Sequence, residues 1–176
     1  MDWNLRAEVS DPTQVPSLGV AVAAIDQFSQ LTRRWLDTRP EVLRIAFGAV
    51  LIRPVASREE AYALIAQEVP GLRLDTPGCA DLLYQINRPR ESQVQPGLRV
   101  NRLAKWAAVQ GTLAQFSLST AAPAISMRAV HIFERLELDM NTAAERSEVL
   151  PADGLGALFH ELVGLGLEVA REGDIP

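Results

Sequence analysis

The densest set of chemically capable side chains lies around two asparagine–arginine pairs. One is Asn87-Arg88 in the stretch Tyr84-Gln85-Ile86-Asn87-Arg88-Pro89-Arg90. The other is Asn101-Arg102 in Val100-Asn101-Arg102-Leu103-Ala104-Lys105-Trp106. Amides, guanidinium groups, one ammonium and an indole suit recognition of phosphate or carboxylate. Guanidinium binds such anions bidentately, and an indole offers a stacking face. Tyr84, Gln85, Asn87, Arg88, Arg90, Asn101, Arg102, Lys105 and Trp106 are therefore candidate interaction or ligand-binding residues. The competing role is structural: the same groups can tie a hairpin down through hydrogen bonds and ion pairs.

Glu134 is a candidate for a different reason. Alternation places it on a strand face otherwise made of Val130, Ile132, Leu136, Leu138 and Met140. A glutamate on an apolar face needs a partner, and an arginine is the obvious one. Glu137 and Asp139 fall on the opposite face, where a solvated role suits them. Two carboxylates without a third ligand are weak grounds for a cation site.

No catalytic or cofactor signature survives inspection. His160-Glu161 begins a zinc-protease helix, but the second histidine position is Gly164. Gly154-Leu155-Gly156 has Phe159 where a dinucleotide loop needs its third glycine, and a polar loop precedes it where a buried strand should stand. Neither a phosphate-binding P-loop nor a nucleophile elbow occurs. Cys79 has no CxxC partner, and His131 reads as a packed or surface residue. The expectation is no catalytic residue, no metal and no cofactor.

The residues that could act must be positioned by a domain of modest size. The chain has 176 residues, 48% of them hydrophobic and 22% charged. That length suits one domain. A single cysteine excludes a disulfide framework. Sixteen of the seventeen basic residues are arginine, and Lys105 is the only lysine. The net charge of −5 is unevenly spread. Residues 1–55 are net 0, residues 56–87 net −3, residues 88–133 net +5, and residues 134–176 net −7. Such a dipolar pattern fits internal neutralisation, self-association or capture of a phosphate-bearing partner. The negative total argues against a dedicated nucleic-acid binder.

Residues 1–16, with Pro12 and Pro16, read as an extended arm with a short strand near Trp3–Val9. Residues 17–176 read as one domain. Helical spacing begins after Ser17, a plausible N-cap, and runs through Leu18, Ala21, Val22, Ile25, Phe28, Thr32, Trp35 and Leu36 to a stop at Pro40. Residues 42–54 are apolar on both alternating faces, which predicts a central strand with Gly48 at a bulge or close approach. Ser57 and Glu60 form a capping box for a second helix ending at Pro70-Gly71. Strands follow over 80–88, 98–103 continuing through 118 with a kink near Gly111, and 125–140. Pro151 and Asp153 open the last helix. Gly173 ends it. The glycines at 154, 156, 164 and 166 imply close packing on the sheet. The order predicts an α+β fold: a single antiparallel sheet packed against helices, with a long C-terminal helix.

FGAVLIRPVASREEAY, LLYQINRPR, VNRLAKW and LELDMNT with LFHELVGLGLEVAREGD form a distinctive set. Over roughly residues 42–174 the chain resembles a sporadically distributed family of uncharacterised bacterial proteins. The resemblance implies no catalytic residues. It implies a chain shorter than most members, which carry an extra N-terminal strand region, and a mobile or defence-related gene setting. Neither a signal peptide nor a lipidation motif is read at the ends, and no apolar run is long enough to span a membrane. The expected protein is cytoplasmic. It is a non-enzymatic interaction or regulatory subunit, a homo-oligomer or one that docks on a larger protein. The alternatives are a small-ligand module with a cavity between sheet and C-terminal helix, and nucleic-acid binding through the basic segment 88–106.

Overall fold

The computed structural model describes residues 4–7, 16–38, 41–75, 78–118, 123–142 and 148–176, with backbone only over 113–118 and 123–129. Three helices, α1 (Ala21–Leu36), α2 (Arg58–Glu68) and α3 (Leu155–Glu172), accompany five strands: β1 (Ala46–Val55), β2 (Leu83–Asn87), β3 (Arg90–Glu91), β4 (Arg99–Leu118) and β5 (Pro123–Thr142). The strands form one antiparallel sheet in the order β1-β5-β4-β2, with β3 also on β4. The α+β architecture is the expected one. Among the described residues no helix is long and apolar enough to cross a membrane.

Alternation sorts the strands into two faces. The inner face carries Phe47, Ala104, Trp106, Leu136, Leu138 and Met140, all buried. Helices α2 and α3 pack there, with Tyr62, Ile65, Leu158, Phe159 and Leu162 closing the core. Helix α1 lies on α3, where the Phe28 and Phe159 rings meet edge-on at 6.3 Å. A Cβ on Gly166 would stand 2.9 Å from the Phe47 ring and 3.5 Å from Met140. The predicted close packing of α3 on the sheet is therefore real at that glycine. Gly156 fits the same description against α1, 3.0 Å from Asp37, whereas Gly164 faces open space.

Strand β1 is a correction. Its two apolar faces predicted a central strand, but among the described residues it pairs only with β5 and lies at the sheet edge. Phe47, Ala49 and Leu51 face the core as expected. Val50 and Ile52 are exposed. Gly48 pairs in regular register with Asp139, so no bulge forms there.

The helix starts also differ. Helix α1 begins at Ala21 with Val20 as an N-cap that lacks a side-chain bond. Ser17 instead accepts from the Gly19 N–H, and Gly19 adopts φ +85°. That left-handed turn interrupts the helical path before Val20. Helix α3 begins one residue after Gly154, at φ +100°, so Pro151 and Asp153 precede it. The Ser57 half of the capping box is present, its Oγ accepting from the Glu60 N–H at 3.2 Å, while the Glu60 carboxylate reaches one residue further back and accepts from the Ala56 N–H at 2.7 Å.

The strand 80–88 is shorter than expected, as β2. The strand through 118 is continuous, and its irregularity falls between Leu113 and Ala114, two residues past Gly111. Residues 4–7 form no strand. The rest of the expected strand near Trp3–Val9 lies outside the described residues.

Candidate functional site

The sheet divides the sequence-defined set between its two faces. Gln85, Asn87, Asn101 and Lys105 lie on the outer face; Tyr84, Arg102, Trp106 and Glu134 lie on the inner one. Of these outer residues, Asn87 and Asn101 bond to each other, and Asn101 and Lys105 reach β5. Asn87 donates to Asn101 at 3.0 Å, Asn101 to Asn141 at 3.1 Å, and Asn141 to Asp139 at 2.9 Å. Asn87 also accepts from the Arg102 backbone N–H. Lys105 pairs with Glu137 at 3.1 Å, and Glu137 also meets Arg135.

Two clusters form on the inner face. The first joins the sheet to the end of α3. Arg88 binds both oxygens of Asp174, at 2.5 and 2.9 Å, and Tyr84 donates to the same carboxylate at 2.9 Å. The Arg88 bond holds Asp174 below the usual carboxylate range, although burial opposes this. Burial, followed by the Asp174 bond, pushes the Tyr84 phenol up. Arg90 spans both oxygens of Glu168, at 3.0 and 3.2 Å, and donates to the Pro176 carbonyl. Arg102 is buried beside them.

The end of α3 is held here by backbone geometry as well. Gly173, at φ +76°, closes the helix by donating to Val169. Asp174 N–H donates to the Glu68 carbonyl at 2.7 Å, so α3 is stapled to the end of α2.

The second cluster surrounds Glu134, whose side chain is 4% exposed. Arg53 is its direct register partner across β1 and β5, and the two ion-pair at 3.0 Å. The predicted arginine partner is therefore present. Arg53 also pairs with Glu68 at 3.0 Å, and the Trp106 indole N–H donates to Glu68 at 3.0 Å. Burial, with the Glu68 carboxylate second, pushes Glu134 up to about 7.

Trp106 is a correction. The sequence offered it as a stacking surface, but it is fully buried and its indole is committed to Glu68. Sequence reasoning missed Glu168 and Asp174 as anchors of the basic segment. Their only prior signal was the −7 charge of residues 134–176 opposite the +5 of residues 88–133. It missed Arg53 because pairing depends on register.

Two concavities border these elements. A void of ≈10 Å³ lies between β4 and the α3 terminus. A larger one of ≈780 Å³ lies between α1, β1 and residues 4–7 and 16–19. Among the described residues no group of three His, Cys, Asp or Glu side chains could hold a metal ion. In comparisons with known proteins, the chain matches no family model, no curated protein and no solved structure.

Proposed function

We propose that the protein is a non-enzymatic interaction subunit that self-associates. The observation that carries this reading is the length of the β4–β5 hairpin. Each strand has 20 residues. Strand β2 pairs with β4 no further than Ala107, and β1 with β5 no further than Ile132. Beyond those points the hairpin continues as a two-stranded ribbon to Leu118 and Pro123. At ~3.3 Å per residue it projects roughly 30 Å past the rest of the sheet. An isolated two-stranded ribbon is marginal in water and needs a surface to pack on.

The β1 edge supports the same reading. An unpaired strand edge is a template for another chain, and soluble proteins usually blunt it with charge or proline. Ala46–Ile52 carries no charge and no proline, and Val50 is 57% exposed. Leu18, Val20 and Val22 are exposed nearby on the segment that lines the same concavity or just beyond it. Size-exclusion chromatography with light scattering tests the proposal. A dimer or higher oligomer is the expected result. A strict monomer that co-purifies with no partner defeats it.

Small-ligand binding is the second reading. The ≈780 Å³ concavity supports it, being within the usual range for such sites. It lies beside α1, whereas the space beneath α3 is only ≈10 Å³. A thermal-shift panel of small apolar carboxylates and alcohols tests it, with a saturable rise in Tm as the expected sign. Nucleic-acid binding through 88–106 has less support, because Arg88, Arg90 and Lys105 are already ion-paired with acids of the same chain.

A further inference from the structure

The free edge of β1 is an unfilled row of backbone hydrogen-bonding groups. The Thr142 N–H donates to the Ile45 carbonyl, which fixes the phase of the antiparallel ladder. Ile45, Phe47, Ala49 and Leu51 turn their backbone groups to β5. Ala46, Gly48, Val50 and Ile52 turn theirs away, and among the described residues β1 has no second strand to receive them. Pro54 has no N–H and ends the row. The concavity of ≈780 Å³ follows this edge, with Ala21, Ala24, Ile25 and Phe28 of α1 as its apolar wall.

The ribbon has a matching character. Residues 106–127 contain no Asp, Glu, Lys, Arg or His, a run of 22 residues in a chain that is 22% charged. Strand edges that stay in water are usually blunted by charge. Counting in twos along β4 from Ala104 and Trp106 puts positions 114, 116 and 118 on the inner face, and their register partners are 127, 125 and 123. Those six residues are Ala114, Phe116, Leu118, Met127, Ile125 and Pro123. The opposite face takes Gln115, Ser117, Ala124 and Ser126. By position the ribbon is therefore apolar on the side of the sheet where α1 lies, and polar without charge on the other. Past Ile132 the β1-side edge of β5 has no described partner, and residues 123–131 are long enough to cover Ala46–Ile52.

We propose that the ribbon of a second copy fills this groove, its β5 edge laid along β1, in a reciprocal twofold dimer. The proposal rests on the self-association read above and names its two surfaces. β1 and the free edge of the β5 ribbon lie on the same side of the sheet, because β1 pairs with β5 and reaches no further than Ile132. A half-turn about an axis normal to the sheet brings each ribbon to the other copy's β1, parallel to it. The inner faces stay on one side under that rotation, so the apolar ribbon face meets the apolar wall of α1. Pairing β1 with β1 would leave both ribbons bare. Pairing ribbon with ribbon would leave both β1 edges bare. The reciprocal contact covers both surfaces in each copy.

Two variants separate the surfaces. Val50→Lys/Ile52→Lys puts charge on the β1 edge at two exposed positions, and Phe116→Lys puts it among the apolar positions of the ribbon. Each is expected to keep the parent's circular dichroism and to be monomeric by light scattering. An equimolar mixture of the two at raised concentration is expected to form a 1:1 heterodimer, because one intact ribbon then meets one intact β1. Should Phe116→Lys fail to fold, the chain with residues 112–130 replaced by a two-residue turn takes its place. A β1 variant that still dimerises means that ribbon pairs with ribbon, and a ribbon variant that still dimerises means that β1 pairs with β1. Either result, or a mixture that stays monomeric, overturns the reciprocal contact and leaves self-association standing. A parent chain that is strictly monomeric overturns both.

Discussion

Glu134 is the residue whose chemistry departs furthest from its sequence context. Its carboxyl is buried, shares Arg53 with Glu68, and titrates at about 7 against an ordinary 4.5. The sign follows from proton counts. Between pH 4.5 and 7 the folded state holds this proton more tightly than the unfolded chain does. The stability contributed by the neutral carboxyl is therefore full below the unfolded value and is lost as pH rises through about 7. The size is on the order of a few kcal/mol. Glu134→Gln is expected to flatten the pH dependence of the urea midpoint over that window and to raise stability above it. An unchanged slope would mean that another group titrates there. The need for a partner was readable from one glutamate in an apolar alternation. Its arginine was not, because Arg53 lies 81 positions away and meets Glu134 only through the β1–β5 register.

Element boundaries and packing show where local pattern suffices. The Ser57 cap of α2 was readable because its bonds span only neighbouring residues. The start of α1 was misread because Ser17 bonds within its own turn at Gly19. The glycines of α3 separate into distinct roles. A Cβ on Gly173 would stand 2.0 Å from the Glu68 carbonyl oxygen at a left-handed φ of +76°. Gly173→Ala is expected to cost more than about 2 kcal/mol. Gly164 is exposed, with nothing within 4 Å of its added Cβ. Gly164→Ala is expected to stabilise by roughly 0.5–1 kcal/mol. Equilibrium urea unfolding of the two variants checks both, and equal effects would contradict the assigned packing. The edge position of β1 was not legible. Its apolar outer residues, Val50 and Ile52, have the same pattern whether a helix, another strand or a second chain covers them.

At the scale of the whole molecule, the charge asymmetry has a partly internal explanation. Cations of the +5 segment meet acids of the −7 segment at Arg88–Asp174, Arg90–Glu168 and Lys105–Glu137. The surface features that remain are the projecting ribbon and the uncharged β1 edge. Replacing residues 112–130 by a two-residue turn removes ribbon that neither β1 nor β2 touches. That variant is expected to stay folded by circular dichroism and to lose self-association in light scattering. Retention of the oligomer would shift the interface to β1, where Val50→Lys is the next variant to measure.

Residue spacing alone was sufficient for the α+β class, the strand faces, the α2 cap, the Gly173 helix end and the demand for a cation at Glu134. Each follows from interactions that repeat every two or 3.6 residues, or close within one turn. The edge position of β1, the burial of Trp106 and Arg102 and the pairing of Arg53 with Glu134 were settled only by the packed chain. These depend on register and layer order, which join segments tens of residues apart and leave no periodic trace along the sequence.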